Sequence, residues 1–518
     1  MDPRLLIALA VGIAVVILVV LKTRLDAFIG LFLAALVAGS IVGQPLATTL
    51  SQITTGFGNT LGGVGIVIAL GVGIGKILEV SGAIEVLANW VLRRFGKGRE
   101  DIAMGSVGAL IAVPVFADSA FMIMAPLARQ LARLKGSGYL AIMLAMSAGM
   151  VLTHTMVPPT PGPLAVAGIL GADLGQVILW GLIFTVILLP IAVIYSRWAE
   201  RKYASQISPE IQQLVYGDRT AANANQMEYA GAVPAGAAAV AGAGAGAGFV
   251  GSTELPAGYE HGSALETDGN LDSHVADAEP VLRKPISALL AWAILLIPIL
   301  LIVAGTTAMT IARSQAGIMH GAFDAPAWTT PFTFLGNPVI ALTIGVILAV
   351  YFLLPRYTPR SKVHGWLAEG INEAGIILVI TGAGGAFGFV LRESGIGDAL
   401  GHVVGGWHIP LFLIPFLISL FIRIAQGSAT VAMITAASIV APMAYDLGLN
   451  PVVATLAAAL ASGAFSHYND SLFWILANYV GLDAKAMLFA WTGLKGVVCL
   501  AGIPLLWIMD LILSRGGF

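Results

Sequence analysis

The chain has 518 residues, of which 58% are hydrophobic and only 10% are charged, and its mean hydropathy is +0.90. A water-soluble chain of this size cannot hide so much apolar surface in one core, so the composition is typical of a polytopic membrane protein. The net charge of −2 provides no basic surface for nucleic acid, and the single cysteine, Cys499, excludes an internal disulfide or a multi-cysteine metal site. We therefore expect no cofactor and no metal.

The first half contains apolar stretches that are long enough to cross about 30 Å of hydrocarbon as helices. A further apolar stretch, residues 102–133, is interrupted by Pro114 and by the polar residues Asp118 and Ser119. Such a break is tolerated where the backbone lines a cavity or a protein partner, so it predicts a re-entrant hairpin with a polar tip. The full spans are expected near residues 5–22, 25–43, 61–81, 138–156 and 174–197.

Residues 204–284 interrupt the apolar pattern. They are polar at first, then rich in Ala and Gly, and finally acidic. A segment of this kind buries too little apolar surface to fold alone. We predict a disordered connector between two membrane units, residues 1–203 and 285–518.

The second half repeats the first. Residues 409–445 form a second interrupted stretch, broken between Arg423 and Ser428, and the whole chain has roughly ten apolar stretches by the ~20-residue rule. Five crossings per half is an odd number, so we predict two inverted repeats, each with about five transmembrane helices and one re-entrant hairpin. At an offset of 313 residues, Gly71, Gly75, Leu78, Ser81, Gly82 and His154 recur as Gly384, Gly388, Leu391, Ser394, Gly395 and His467, and at 310 residues Gly171 and Asp173 recur as Gly481 and Asp483.

The distribution of basic residues predicts the orientation in the membrane. With the N-terminus outside, the outer segments keep little beyond Arg4, Arg313 and Arg515, as the positive-inside rule requires. This orientation places the connector 204–284 in the cytoplasm, and it opens the first hairpin from inside and the second from outside. The inner segments then hold Lys22, Arg24, Arg93, Arg94, Lys97, Arg99, Arg129, Arg133, Lys135, Arg197, Arg201, Lys202, Arg283, Lys284, Arg356, Arg360 and Lys362.

Arg423 is one of the few charged residues at membrane depth, one helical turn before the small-residue sequence Gly427-Ser428-Ala429-Thr430. Its planar fork of donors matches a carboxylate, and the helix that begins after it offers free backbone N–H groups. Arg423 either binds an anionic substrate or neutralises a buried acid such as Asp118 or Asp470. Both roles fit the sequence.

Asp118 and Ser119 are expected at the tip of the first hairpin. A carboxylate removed from water can carry a proton from one side of the membrane to the other, which makes Asp118 the leading candidate for proton coupling. Asp is also a preferred N-cap, so Asp118 could instead cap a helical arm that begins at Ala120.

His154 and His467 occupy equivalent places in the two halves, each at the end of an apolar span and beside a sequence that breaks a helix. Such breaks leave backbone N–H and C=O groups unpaired, which is tolerated where the backbone lines a cavity. Both histidines are therefore candidates for binding the substrate or the coupled proton. Lys76 and Glu79 lie three residues apart on one helical face and are expected to pair with each other. Close helix packing is the expected role of the many glycines in this part of the chain, including Gly58, Gly62, Gly63, Gly65, Gly71, Gly73 and Gly75.

Three classes of function fit a polytopic chain with repeated, broken helices. A secondary transporter uses inverted repeats to expose one midplane site to each side in turn. A channel is the second class, since repeats also build pores. The third is an intramembrane hydrolase with Ser428 as nucleophile and His467 as base, but hydrolysis does not require a duplicated architecture.

Four motifs resemble the gluconate:proton symporter family, which is grouped within the ion-transporter superfamily. The resemblance covers both membrane halves, and family members commonly have His at the position of Thr160. The motifs are Gly56 to Gly65, Thr153-His154 with Pro158 to Pro163, Arg423 to Ala432, and Ser466 to Ser471 with Phe473-Trp474.

The resemblance implies proton-coupled uptake of gluconate or a related small sugar acid or hydroxy acid across the plasma (inner) membrane. It also implies a homodimer and an elevator-type mechanism, and it leaves open D-serine, glycerate or another small carboxylate, with Na⁺ as an alternative coupling ion. The predicted proton-coupling residues are Asp118, His154, His467 and Asp470. The predicted substrate-binding residues are Arg423, Gln426, Gly427, Ser428, Thr430, Ser119, His154, Thr160, His467, Asn469 and Asp470.

Overall fold

The regular structure is helical throughout the part of the chain that the computed structural model describes, which confirms the predicted all-α class. An apolar segment can cross a membrane only if its backbone N–H and C=O groups are hydrogen-bonded within the protein, and a helix satisfies them within the segment itself. The described residues are 3–95, 98–113, 115–217, 286–316, 323–395, 410–444, 447–468 and 470–515.

The first half forms ten α-helices within the described residues. They are α1 (Pro3–Lys22), α2 (Ala27–Val42), α3 (Leu46–Ser81), α4 (Ala83–Phe95), α5 (Glu100–Ile111), α6 (Ala117–Lys135), α7 (Tyr139–Met156), α8 (Pro161–Leu170), α9 (Leu174–Tyr203) and α10 (Pro209–Tyr216).

The second half contains a further ten α-helices within the described residues. Short π-helical turns, Ala349–Leu353 and Leu488–Thr492, extend two of its helices. Its α-helices are α11 (Ala288–Ala316), α12 (Thr330–Leu335), α13 (Pro338–Leu348), α14 (Arg360–Glu393), α15 (Leu413–Gln426), α16 (Ala429–Ala444), α17 (Pro451–Ser462), α18 (Ser471–Val480), α19 (Ala484–Met487) and α20 (Gly493–Arg515).

Six helical segments in the described chain are long and apolar enough to cross a membrane, and a bent pair, Ala327–Leu335 with Pro338–Leu353, forms a seventh. The chain is therefore a multi-pass membrane protein. The predicted spans near 5–22 and 25–43 correspond to α1 and α2, which are among the shorter apolar helices. The six long segments are Leu46–Ser81, Tyr139–Leu170, Leu174–Gln206, Ala288–Arg313, Ala374–Glu393 and Ala484–Leu513.

Both interrupted stretches are helix pairs. Residues 112–116 separate α5 from α6, and Gly427-Ser428 separates α15 from α16. The two arms of each pair pack on one another. That these pairs enter the membrane from opposite sides remains a prediction, as does the inverted orientation of the halves.

One helix corner recurs at the 310-residue offset. Gly171 ends α8 with a φ of 68°, and Gly481 ends α18 with a φ of 74°. Only glycine adopts this left-handed conformation readily. Two residues later, the carboxylates of Asp173 and Asp483 each accept a hydrogen bond, 2.8 Å long, from a backbone N–H in the first turn of the next helix. These matching corners support the predicted repeat.

The two longest helices, α3 and α14, pack against each other along their lengths. A Cβ atom on Gly56 would lie 2.8 Å from Gly385 O, so the absence of a side chain permits this contact. The expectation of close packing is wrong for Gly58, Gly62 and Gly63, where an added Cβ would meet nothing within 4 Å.

The segment predicted as a connector from residue 204 is ordered up to residue 217. A 3₁₀ turn, Ala204–Gln206, leads into α10, and Ser208 caps this helix by accepting a hydrogen bond from Ile211 N. The prediction of disorder from residue 204 is therefore wrong for 204–217, while residues 218–284 lie outside the described residues.

Contacts with distant parts of the chain hold α10 in place. Arg133 donates hydrogen bonds to Leu214 O (2.6 Å) and Val215 O (3.0 Å), and the Val215 side chain is fully buried. Ser208 N donates to Gly481 O at 2.8 Å. The sequence interpretation missed this order because α10 is stabilised by docking rather than by its own composition.

Candidate functional site

Arg423 lies in the last turn of α15 and is 2% exposed. Its Nη2 donates a hydrogen bond to Asp470 Oδ2, and its Nε donates to Ala464 O at 3.2 Å. Gly427 ends the helix with a φ of 95°, a left-handed conformation that favours glycine. The chain then turns into α16, and Ser428 Oγ accepts from Val431 N at 3.4 Å.

Asp470 stands at the N-terminus of α18, in the break between α17 and α18. Its Oδ1 accepts the hydrogen bond of Leu472 N at 3.1 Å, which makes Asp470 the N-cap of this helix. Its Oδ2 accepts from both Arg423 Nη2 and the Ser466 hydroxyl. Of the two predicted roles of Arg423, the structure contains the pairing with Asp470. Binding of a substrate by Arg423 remains a prediction.

The equivalent break in the first half lies between α7 and α8. Thr160 occupies the N-cap position of α8 and donates its hydroxyl to Val157 O at 2.8 Å. His154 lies in the last turn of α7, and its ring centroid is 5.9 Å from that of Phe116, the residue before α6. This ring contact joins the α5–α6 turn to the α7–α8 break.

The two breaks are neighbours. A Cβ atom on Gly463, just after α17, would lie 3.4 Å from Thr155 Oγ1 on α7. A Cβ atom on Gly162, in the first turn of α8, would lie 3.7 Å from Thr430 Cγ2 on α16. The N-termini of α8 and α16 therefore meet, and both present the positive end of a helix dipole.

The two histidines that the 313-residue offset pairs, His154 and His467, differ in their contacts. His467 Nε2 lies 2.9 Å from Ile424 O, so this ring ties the α17–α18 break to α15. His154 Nδ1 is buried without a hydrogen-bond partner among the described groups, and so is Gln426 Oε1. These two atoms can hydrogen-bond to a bound polar molecule, whereas one ring nitrogen of His467 is already engaged.

Lys495, on α20, was missed by the sequence interpretation. It is 5% exposed, and its Nζ lies 5.2 Å from the centroid of the Trp491 ring. A single lysine inside the apolar stretch from Leu488 to Leu500 was the signal that could have revealed it.

Three of the predicted site residues, Asp118, Ser119 and Asn469, cannot be placed relative to the site. α6 begins at Ala117, so Asp118 lies in its first turn, and the expectation that Asp118 caps an arm starting at Ala120 is wrong. The side chains of Asp118 and Ser119, and the whole of Asn469, lie outside the described residues.

Lys76 pairs with Glu79 as expected, at 3.4 Å. It also lies 2.9 Å from a carboxylate oxygen of Glu369 on α14. This three-residue group links α3 to α14.

The charges of the described side chains define what the site can hold. Arg423 is paired with Asp470, and a second buried cation, Lys495, is joined to the same carboxylate through Trp491 and Ser466. No group of three or more potential metal ligands occurs among the described residues. Interrupted helices with a charged pair at the break are typical of secondary transporters.

The chain belongs to the GntP permease family, whose family model matches residues 4–235 and 272–512. It is therefore a transporter rather than an enzyme, and the hydrolase alternative is set aside. The match covers both membrane halves, as the sequence resemblance predicted.

Individual relatives agree with this assignment. The chain is 35% identical over 452 residues to an uncharacterized permease of Haemophilus influenzae, covering 86% of this chain and 79% of the relative. It is 30% identical over 474 residues to a gluconate permease of Pseudomonas aeruginosa, covering 91% and 90%. The YdaH transporter of Alcanivorax borkumensis has a similar fold, with a TM-score of 0.59 and 14% identity over 94% of this chain and 98% of YdaH.

Proposed function

We propose that the chain is a proton-coupled symporter that brings gluconate or a related small sugar acid into the cell. The observation that carries the proposal is the buried ion pair of Arg423 and Asp470 between two helix breaks. A guanidinium can bind a carboxylate through two parallel N–H groups, so Arg423 is the group that would receive the carboxylate of the substrate. The similarity to the gluconate permease of Pseudomonas aeruginosa supports the proposal that the substrate is a sugar acid.

Two further groups would recognise the hydroxyl groups of such a substrate. Gln426 Oε1 and His154 Nδ1 are buried with no hydrogen-bond partner among the described groups, and a buried acceptor without a partner costs free energy. Hydroxyl groups of a sugar acid would supply the missing donors. The remaining proposed substrate residues are Gly427, Ser428, Thr430, Ser119, Thr160, His467, Asn469 and Asp470.

The proton would be carried by a group that meets water from either side in turn. Asp118 is the proposed carrier because it lies in the first turn of α6, two residues after Phe116, whose ring contacts the ring of His154. His154 and His467 are the alternatives, and His467 is disfavoured because its Nε2 already contacts Ile424 O at 2.9 Å.

We further propose an elevator-type movement in a homodimer of the inner membrane. In a first group, α2, α3 and α13 contact one another or α14, and in a second group α7 and α8 pack with α16, α17 and α18. The two groups meet where α8 packs on α3 and where α16 packs on α14, and the movement would occur along this contact. Both helix breaks belong to the second group, which would be the moving unit. The N-terminus would lie outside, and residues 204–284 would lie in the cytoplasm.

A thermal-shift screen of the purified protein tests the proposed substrate class. We expect gluconate to raise the unfolding temperature more than glycerate, lactate or D-serine, and to do so without Na⁺. A shift with D-serine or glycerate alone would move the assignment to that substrate, and a shift that requires Na⁺ would replace the proton as the coupling ion. No shift with any carboxylate would contradict the proposal.

A further inference from the structure

Lys495 is a buried cation for which the proposed transport cycle has so far given no role. It lies in the first turns of α20, with only 5% of its surface exposed. It borders a narrow crevice between α7, α17 and α20, together with Thr155 and Gly463 at the two helix breaks. A lysine at this depth is costly unless another charge or a ring stabilises it.

The surroundings of Lys495 lead to Asp470. Trp491, over whose ring the ammonium group lies, donates its Nε1 hydrogen to Ser466 Oγ at 3.0 Å. Ser466 in turn donates its hydroxyl to Asp470 Oδ2. The ammonium group of Lys495 is thus joined to the Asp470 carboxylate through the Trp491 ring and the Ser466 hydroxyl. The carboxylate therefore has one cation on the α15 side, Arg423, and a second cation on the α20 side.

We propose that Lys495 is the second counter-ion of Asp470, and that it keeps this carboxylate ionised when Arg423 turns to the carboxylate of the substrate. The proposal rests on the proposed function, since it requires an anionic substrate at Arg423. Lys495 is a positioning residue because it would act through Asp470. Its presence avoids the cost of a buried charge that has lost its partner.

The exchange of counter-ions has a consequence for proton coupling. Among the described residues, the charged or titratable groups around Asp470 are Arg423 on α15, Lys495 on α20 and the neighbouring His467. Cys499 borders the same crevice as Lys495, and His154 precedes Thr155 of that crevice. Because Lys495 holds Asp470 in its ionised form throughout the cycle, Asp470 carries no coupling proton, although the sequence placed it among the candidates.

A double-mutant cycle measures the counter-ion interaction without any substrate. The variants are Lys495→Met, Asp470→Asn and the double variant; Asn serves as an N-cap as well as Asp does, so α18 keeps its cap. We expect Lys495→Met to lower the unfolding temperature in detergent by about 2–4 °C and to have less than half of that effect when residue 470 is Asn. Lys485→Met, at an exposed lysine before the same helix, is the control and should leave the unfolding temperature unchanged.

Gluconate binding at several pH values then tests the exchange itself. Without Lys495, substrate binding leaves Asp470 with no counter-ion, so this carboxylate must take up a proton for the substrate to bind. We expect the dissociation constant of Lys495→Met to rise with pH more steeply than that of the unmodified protein, by about one additional factor of ten per pH unit. The double variant should lose this additional slope.

The outcomes separate the two proposals. Additive effects on the unfolding temperature would overturn the counter-ion role of Lys495, and an unchanged pH slope in Lys495→Met would overturn the exchange. If the double-mutant cycle shows an interaction between Lys495 and Asp470 but the unmodified protein binds no sugar acid, the counter-ion role stands and the proposed function is contradicted.

Discussion

Arg423, at the end of α15, is held by Asp470, at the start of α18, through a hydrogen bond between a guanidinium nitrogen and a carboxylate oxygen. The two residues are 47 positions apart in the chain, and each stands where a helix is interrupted. Breaking a buried pair by removing one partner is far more costly than the pair itself is favourable. A substrate carboxylate that replaces Asp470 keeps Arg423 paired, and Lys495 would then serve as the counter-ion of Asp470.

Arg423→Lys should weaken gluconate binding by about 10- to 100-fold, which corresponds to about 1.4–2.8 kcal/mol. Lysine keeps the charge but loses the planar fork that binds a carboxylate through two N–H groups. Isothermal titration calorimetry with purified protein measures the dissociation constant of gluconate. Arg392→Lys is the matched control, because the Arg392 side chain is 61% exposed. Equal affinity in Arg423→Lys and the unmodified protein would exclude Arg423 from the binding site.

Asp118→Asn should abolish accumulation driven by a pH gradient while it leaves exchange of labelled for unlabelled gluconate intact. The amide cannot bind the proton, but the movement that exposes the site does not need it. For one proton per substrate, one pH unit supports about tenfold accumulation, and the variant should show none. Asp483→Asn is the control, since Asn is an equally good N-cap for α19. Persisting accumulation in Asp118→Asn would assign coupling to another residue.

Arg133→Ala should release α10. The substitution removes the donors to Leu214 O and Val215 O, which are hydrogen bonds to a charged group. Hydrogen–deuterium exchange of residues 209–216 should become about tenfold faster, since local opening costs less free energy. Arg93→Ala, at an exposed arginine, should leave this exchange unchanged. Unchanged protection in Arg133→Ala would mean that the hydrophobic contacts of Val215 hold α10 without Arg133.

Gly427→Ala should reduce both stability and gluconate binding. At a φ of 95° an alanine is strained by about 1–2 kcal/mol, and the strain acts on the turn that follows Arg423. Gly365 offers a control on α14, because a Cβ added there meets nothing within 4 Å and the backbone is helical. Thermal unfolding and binding measured on both variants separate strain at the turn from a general effect of alanine.

The sequence predicted most of the fold because the signals are local. Pro114 and Gly427 mark the two breaks, and the 310-residue offset predicts that Asp173 and Asp483 occupy equivalent positions, where both cap helices. Hydropathy identifies helices irrespective of what they pack against.

The missed features depend on contacts between distant residues. The order of α10 depends on Arg133 and Gly481, neither of which its own composition reveals. In the sequence, Lys495 is an isolated charge in an apolar span. Only the folded chain brings it close to Asp470, 25 residues earlier, through Trp491 and Ser466. Such features require the folded arrangement, since no periodicity in the sequence encodes them.

Uptake of labelled gluconate into proteoliposomes that contain the purified protein, with an imposed pH gradient that is acid outside, tests the central claim most directly. We predict concentrative uptake that collapses when a protonophore removes the gradient and does not require Na⁺. In Arg423→Lys this uptake should need about 10- to 100-fold more gluconate. Uptake that is unaffected by the protonophore, or that only equilibrates gluconate across the membrane, would contradict proton-coupled symport at this site.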